Sequence, residues 1–152
     1  MPGVRETCHA VKQVADMQAH NDAVKTIAQA LADMNLATDK DYLIPAPQHT
    51  GKAEYTKEIA TAVSELTGAT VLDVLHCKPH VPLYEQKQRG IPFDLCLYIK
   101  GNIPSTGKLF FVDNVAATWS TFNQANKLFN GNLNPLIYAV DDTFIQTAAG
   151  KA

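Results

Sequence analysis

An acid and an amide, Asp113 and Asn114, directly follow the apolar run of residues 109–112. A carboxylate at the end of a buried strand is costly unless other groups satisfy it, so Asp113 is a candidate for ligand binding or for organising its loop. A carboxylate beside an amide offers an acceptor and a donor, which suits the neighbouring hydroxyls of a sugar. The alternative is that Asp113 only accepts hydrogen bonds from amides of its own loop.

Two loops with anion-binding character each lie between an apolar strand and a helix. They read PAPQHTGK over residues 45–52 and DNVAATWST over residues 113–121. The amino terminus of a helix presents unpaired amides and the positive end of the helix dipole, which together attract anions. The two loops therefore predict sites for two phosphate groups.

Trp119 stands where a tight phosphate-binding turn would favour glycine. Glycine lets the backbone approach a phosphate closely and adopts dihedral angles that other residues resist. The indole either stacks on a base or anchors the following helix in the core. Because an indole buries a large apolar area, we favour the anchor.

A long segment without periodicity, residues 76–93, separates the two loops in sequence. Long loops inside compact domains are often functional lids, so we predict a lid or hood over residues 76–100. His76, Cys77 and His80 lie close together there, but no second matched ligand pair accompanies them, and we predict no metal site.

The elements that would position these loops follow from hydrophobic periodicity. Residues 4–36 predict two helices or one kinked helix, with Asn21 and Asp22 suited to cap the second. After a strand at residues 42–44 comes a helix that ends at Gly68. Its predicted inward residues are Tyr55, Ile59, Val63 and Leu66.

The second half of the chain predicts further strands and one helix. Residues 70–75 predict a buried strand, residues 94–101 a strand at an edge or in the lid, and residues 109–112 another buried strand. A helix follows, with Thr121 and Gln124 as a capping box, and residues 135–140 form the last strand. The helix is expected to turn Phe122, Ala125 and Phe129 inward.

Alternation of strands and helices predicts an α/β fold with a mostly parallel central sheet and helices on both faces. Ligands of such sheets bind beyond the carboxyl ends of the strands. The length of 152 residues, 46% of them hydrophobic, predicts a single domain over residues 1–152.

Charge and composition narrow the expected partners. A net charge of −2 and a pI near 6.2 give no electrostatic signature of nucleic acid or membrane binding. The amino terminus is not a signal peptide, no run approaches a membrane span, and three cysteines form no disulfide framework. We therefore expect a cytoplasmic protein.

The sequence LFFVDNVAATWST resembles the signature of type I phosphoribosyltransferases. The sequence LIPAPQHTGKAEYTKEIA resembles their pyrophosphate loop, as written in the competence-associated, amidophosphoribosyltransferase-like branch. Gln86 and Arg89 fall where that family has its flexible hood. The resemblance extends over residues 41–140 with the motifs in family order.

The resemblance implies binding of phosphoribosyl diphosphate or a nucleotide, with Mg²⁺ held through the substrate. Asp113 and Asn114 would be the catalytic pair that contacts the ribose hydroxyls. The phosphate loop would comprise Ala116, Ala117, Thr118, Trp119, Ser120 and Thr121. The pyrophosphate loop would comprise Gln48, His49, Thr50, Gly51 and Lys52.

The implied activity is a pentosyl transfer, in which a nitrogen nucleophile displaces pyrophosphate. Three residues depart from the family pattern: Asn114 replaces an acid, Ala117 a threonine and Trp119 a glycine. Ala117 also stands where purine-salvage relatives carry a catalytic acid, which argues against purine salvage. The three departures together leave a noncatalytic nucleotide-binding module as an alternative. A protein-interaction domain on the same scaffold, dimeric through the amino-terminal helices, is a third possibility.

Overall fold

The computed structural model describes residues 3–12, 16–79, 94–116 and 119–140. Within these ranges the helices are α1 (Val4–Val11), α2 (Met17–Asp33), α3 (Tyr55–Thr67) and α4 (Ser120–Leu128). The strands are β1 (Tyr42–Pro45), β2 (Thr70–Val71), β3 (Leu75–His76), β4 (Tyr98–Ile99), β5 (Leu109–Ala116) and β6 (Leu133–Val140).

Four strands form a parallel sheet in the order β2-β1-β5-β6. Strand β1 pairs with β5 from Tyr42 opposite Leu109 to Pro45 opposite Val112. Strand β5 continues past this point and pairs on its other side with β6 as far as Ala116. The prediction of an α/β fold with a mostly parallel sheet is confirmed.

Both faces of the sheet are covered, because successive side chains of a strand point to opposite faces. On one face, Phe110 and Val112 pack with apolar residues of α1, α2 and α3. On the other face, Leu109 and Phe111 pack with Ala125 of α4 and with Phe129, which directly follows that helix; both were predicted to face inward. Strand β5 is therefore apolar on both sides, as a central parallel strand requires.

The predicted buried strand over residues 70–75 is wrong. Only Thr70 and Val71 pair with β1, while Leu75 and His76 pair antiparallel with β4 in a separate two-stranded sheet. The strand predicted over residues 94–101 is reduced to the two residues of β4.

Two predicted helix starts are also wrong. Helix α2 begins at Met17, and the Asp16 carboxylate accepts a hydrogen bond from the Ala19 amide at 3.1 Å, so Asn21 and Asp22 lie inside the helix. Helix α4 begins at Ser120 with Trp119 as its N-cap residue, two residues earlier than a Thr121 cap would allow.

The end predicted for α3 is confirmed, because Gly68 adopts the left-handed conformation that closes the helix. Of the predicted inward residues, Ile59 and Val63 are fully buried and Tyr55 is partly buried, whereas Leu66 is exposed.

Asp41 joins the starts of β1 and β5 at the edge opposite the candidate site. Its carboxylate accepts hydrogen bonds from the Thr38 amide and hydroxyl and from the Lys108 amide, at 2.8, 3.0 and 3.0 Å. Burial alone would raise the pKa of Asp41, but these hydrogen bonds outweigh it and the pKa lies below its ordinary value.

Candidate functional site

Asp113 and Asn114 lie at the carboxyl end of the sheet, beyond the last residue of β1 that pairs with β5. The loop that follows β1 leads to α3, and the two strands are neighbours. Both predicted loops therefore start from the same edge of the sheet. The candidate site is the end of β5 together with the parts of α1 and α3 that contact it.

The Asp113 carboxylate accepts a hydrogen bond from the Asn114 amide at 2.7 Å. Burial raises the pKa of Asp113 to about 7, although the amides of Asn114 and Val115 and the charge of Lys12 act to lower it. The carboxyl group thus changes its charge near neutral pH. The carboxylate thus binds a neighbouring amide within β5, while its roles in organising the following loop and in ligand binding stay predictions.

The Asn114 side chain is buried, with 1% of its surface exposed. Its Oδ1 accepts a hydrogen bond from the Tyr55 hydroxyl at 3.4 Å. Its Nδ2 has no hydrogen-bond partner within the described part of the chain. Buried amide groups are usually paired, so this donor is a candidate to bind a ligand oxygen.

Helix α1 contacts the same strand end, which the sequence did not predict. The Cys8 thiol donates to the backbone oxygen of Asn114 at 3.9 Å. Burial raises the pKa of Cys8, Lys12 lowers it, and Asp113 raises it further. Burial, followed by the charge of Asp113, likewise raises the pKa of Tyr55 far above its ordinary value.

The sequence analysis did not predict three residues at this end of β5, namely Cys8, Lys12 and Tyr55. It predicts Tyr55 only as an inward residue of α3. The amphipathic pattern of α1 indicates a packed helix, but it carries no signal for the strand that the helix packs on.

Trp119 adopts a left-handed backbone conformation, with φ of 63°. This is the conformation for which glycine was expected at this position. The indole is partly buried, packs with the core on the α4 face, and meets Phe122 edge to face with ring centroids 5.8 Å apart. These contacts fit the helix anchor better than a stacking platform for a base.

The rest of the predicted phosphate loop is described in part. The backbone of Ala116 ends β5, and Ser120 and Thr121 begin α4. The Ser120 hydroxyl accepts a hydrogen bond from Nε2 of Gln124 at 3.0 Å. Ala117, Thr118 and the side chain of Ala116 lie outside the described residues.

The predicted pyrophosphate loop forms a turn in which the Gly51 amide donates to the Gln48 oxygen at 2.9 Å. The Gln48 side-chain oxygen accepts from the amides of Glu54 and Tyr55, at 2.9 and 2.8 Å. Gln48 therefore binds the amides that open α3, which a phosphate would otherwise approach.

The remaining residues of this loop differ in their surroundings. The Thr50 hydroxyl donates to the Glu54 carboxylate at 3.1 Å, and His49 and Lys52 are exposed. Gly51 has φ of 108°, and a Cβ atom there would lie 3.0 Å from the Cys77 carbonyl oxygen. Gln86 and Arg89 of the predicted hood lie outside the described residues.

Within residues 3–12, 16–79, 94–116 and 119–140, three or more His, Cys, Asp or Glu side chains nowhere come together in a group that could hold a metal ion. None of the helices there has the length and apolar character needed to cross a membrane.

Comparison with known proteins gives no protein-family model that matches the chain and no curated protein with significant similarity to it.

Proposed function

We propose that this chain is a phosphoribosyltransferase-like protein that binds phosphoribosyl diphosphate or a related nucleotide and transfers the phosphoribosyl group to a nitrogen acceptor. One observation supports the proposal most. At the carboxyl end of a central parallel strand, a carboxyl group that is half-ionised near neutral pH lies beside the buried Asn114 amide, whose Nδ2 has no hydrogen-bond partner among the described residues.

This pair suits a sugar diol. The Asp113 carboxylate accepts hydrogen bonds from hydroxyl groups, and Nδ2 of Asn114 donates to a hydroxyl oxygen. A ribose bound here satisfies the buried Asn114 donor, so binding recovers free energy that the unliganded protein lacks. The phosphate group would lie toward the left-handed turn at Trp119 and the start of α4.

The donor set at the site fits Mg²⁺ held mainly by the substrate. Mg²⁺ keeps an octahedral shell of oxygen ligands and is commonly bound through one or two carboxylates and substrate phosphates. Asp113 is the carboxylate at this strand end that could join such a shell. The cation would neutralise charge on the departing pyrophosphate.

In the proposed transfer, the bond between the anomeric carbon and the pyrophosphate oxygen breaks. A bond from the acceptor nitrogen to that carbon forms, and the nitrogen releases a proton. Because positive charge develops on the sugar, the protein contributes mainly position and electrostatic stabilisation. Asp113 and Asn114 would hold the ribose hydroxyls throughout this displacement.

Calorimetry with phosphoribosyl diphosphate and Mg²⁺ tests binding. We expect Asp113→Asn to weaken binding about tenfold, since it removes a charged acceptor from the diol. Asp39→Asn is the matched control, because Asp39 is exposed and lies at the opposite edge of the sheet. Absence of binding at millimolar ligand would rule the proposal out.

A noncatalytic nucleotide-binding module is the second candidate, and the position of Gln48 favours it. Its carboxamide occupies the amides of α3 toward which the resemblance directs the pyrophosphate. This candidate predicts ligand binding without pyrophosphate release. A coupled assay for pyrophosphate, run with ammonia and simple amines as acceptors, separates the two functions, and measurable release excludes the noncatalytic one.

A further inference from the structure

His20 of α2 makes two short hydrogen bonds although only 4% of its surface is exposed. Its Nδ1 lies 2.7 Å from the backbone oxygen of Val11, the last residue of α1. Its Nε2 lies 2.7 Å from a carboxylate oxygen of Glu58 on α3. One imidazole therefore connects the end of α1 to α3.

Both partners of this imidazole are acceptors. A backbone carbonyl cannot donate, an ionised carboxylate cannot donate, and a neutral imidazole carries only one N–H group. Both hydrogen bonds form only if the bridge holds one proton more than a neutral histidine and a carboxylate do together. Without that proton, the single remaining N–H group donates to the charged Glu58 carboxylate, which is a stronger acceptor than a backbone carbonyl, and Nδ1 then faces the Val11 oxygen with no hydrogen between them.

The helix that this bridge holds lies over the candidate site. Thr7 and Val11 of α1 are buried, and the Cys8 thiol contacts the Asn114 backbone oxygen. The buried Asn114 side chain has little access to solvent, and α1 is one of the elements that close this end of β5.

We propose that the His20–Glu58 bridge is a pH-dependent latch that holds α1 over the end of β5 and releases the helix as the pH rises. The release itself does not depend on the proposed function. Its consequence, access of a sugar ligand to Asp113 and Asn114, does rest on that function.

The elements that pack together here carry other ionisable groups, whose effects must be separated from the bridge experimentally. They are Tyr55 on α3, Cys8 on α1, Lys12 directly after α1, Asp16 at the start of α2, Asp113 on β5 and Tyr138 on β6. Asp113 is the most important of these groups, since it loses its proton near neutral pH. A useful variant must therefore change the bridge and leave Asp113 intact.

The variant Glu58→Gln changes the bridge and leaves Asp113 intact. A glutamine amide can donate to Nε2 of a neutral His20, while the Nδ1–H group still donates to Val11. The variant bridge then needs no additional proton, so α1 stays in place at high pH. His9→Gln is the matched control, because His9 is an exposed histidine of α1 itself.

Hydrogen exchange of the α1 amides, corrected for the intrinsic rate at each pH, measures the release directly. As the pH is raised from mildly acidic to mildly alkaline, we expect protection of α1 to fall about tenfold in the unmodified chain and in His9→Gln, through loss of one charge-assisted hydrogen bond. We expect no such fall in Glu58→Gln. Constant protection in the unmodified chain, or an equal fall in Glu58→Gln, would overturn the latch.

No ligand is needed for this measurement, so its result stands apart from the calorimetry of the proposed function. A latch confirmed by exchange, with no binding of phosphoribosyl diphosphate at any pH, would refute the function and leave the latch. Binding of phosphoribosyl diphosphate without a pH-dependent change in α1 exchange would refute the latch and leave the function.

Discussion

Trp119 combines a backbone conformation typical of glycine with a side chain that packs in the core. A non-glycine residue in the left-handed region costs about 1 kcal/mol. The edge-to-face contact with Phe122 and the packing under α4 offset this cost. Trp119, which replaces the glycine expected in a phosphate loop, therefore has a structural role.

Two substitutions at this position separate the backbone cost from the packing. Trp119→Gly and Trp119→Ala both remove the indole, but only glycine relieves the left-handed strain. We expect both variants to be less stable than the unmodified chain. The free energy of unfolding of the glycine variant should be about 1 kcal/mol higher than that of the alanine variant. Urea denaturation gives both values. Equal stability of the two variants would show that the turn is not strained.

At the level of single residues, local chemistry was predictable and distant contacts were not. The end of α3 at Gly68 and the polar end of the run 109–112 follow from neighbouring residues alone. The contact of Tyr55 with Asn114 joins residues 59 positions apart, and that of Cys8 joins residues 106 apart. Nothing in either local sequence indicates its partner.

Among the elements, the starts of β1 and β5 lie close together because the backbone at Gly107 approaches the backbone at Lys40. Gly107 has φ of 84°, and a Cβ atom there would overlap the Lys40 carbonyl oxygen and contact the Tyr42 ring. This glycine therefore precedes β5 for steric as well as conformational reasons.

Gly131, which precedes β6, provides a matched comparison. Its φ of 80° is nearly the same, but a Cβ atom there meets no described atom within 4 Å. We expect Gly131→Ala to cost about 1 kcal/mol for the backbone conformation alone, and Gly107→Ala to cost roughly 3 kcal/mol or more. Thermal and urea unfolding of both variants measure the difference. Similar losses of stability in the two variants would mean that the backbone near Lys40 moves to accommodate the added Cβ atom at little cost.

Element types were easier to predict than element limits. Residues 70–75 are an apolar run, which predicts one strand, but the run divides between two sheets after Val71. Hydrophobicity reports burial and does not indicate which sheet a residue joins. Asn21 and Asp22 resemble a cap, yet α2 continues through them, supported by a hydrogen bond from Gln18 to Asp22 at 2.9 Å.

In the molecule as a whole, one apolar layer covers each face of the parallel sheet, and the candidate site lies at the edge of the sheet where both layers end. Strand β5 supplies Phe110 and Val112 to one layer and Leu109 and Phe111 to the other. Asp113 is the first residue that interrupts this alternation. The central strand was predictable because both faces are apolar, whereas the cover that α1 provides depends on the packing of the whole chain.

Placing Asp113 at this boundary links the stability of the whole molecule to pH. Its pKa rises from an ordinary 3.8 to about 7 in the folded state, with burial as the main cause. Between these values the folded chain keeps a proton that the unfolded chain has lost, so stability falls as the pH rises through this window. Above about pH 7 both states are ionised, and Asp113 adds no further loss.

Asp113→Asn keeps an acceptor for the Asn114 amide and removes the ionisation. We expect the variant to lose less stability than the unmodified chain between about pH 4 and about pH 8, by on the order of 2 kcal/mol after allowance for the partial exposure of the carboxyl group. Urea denaturation across this pH range gives the two curves, with Asp39→Asn as the control.

Asp41 acts in the opposite direction, because its pKa is lowered and its contribution is lost only as the pH falls below the ordinary value for aspartate. The latch at His20 is present in the unmodified chain and in Asp113→Asn alike, so it cancels in their difference. Parallel curves for these two proteins would therefore mean that Asp113 is ionised throughout. The end of β5 would then be more open to solvent than its contacts with α1 and α3 indicate.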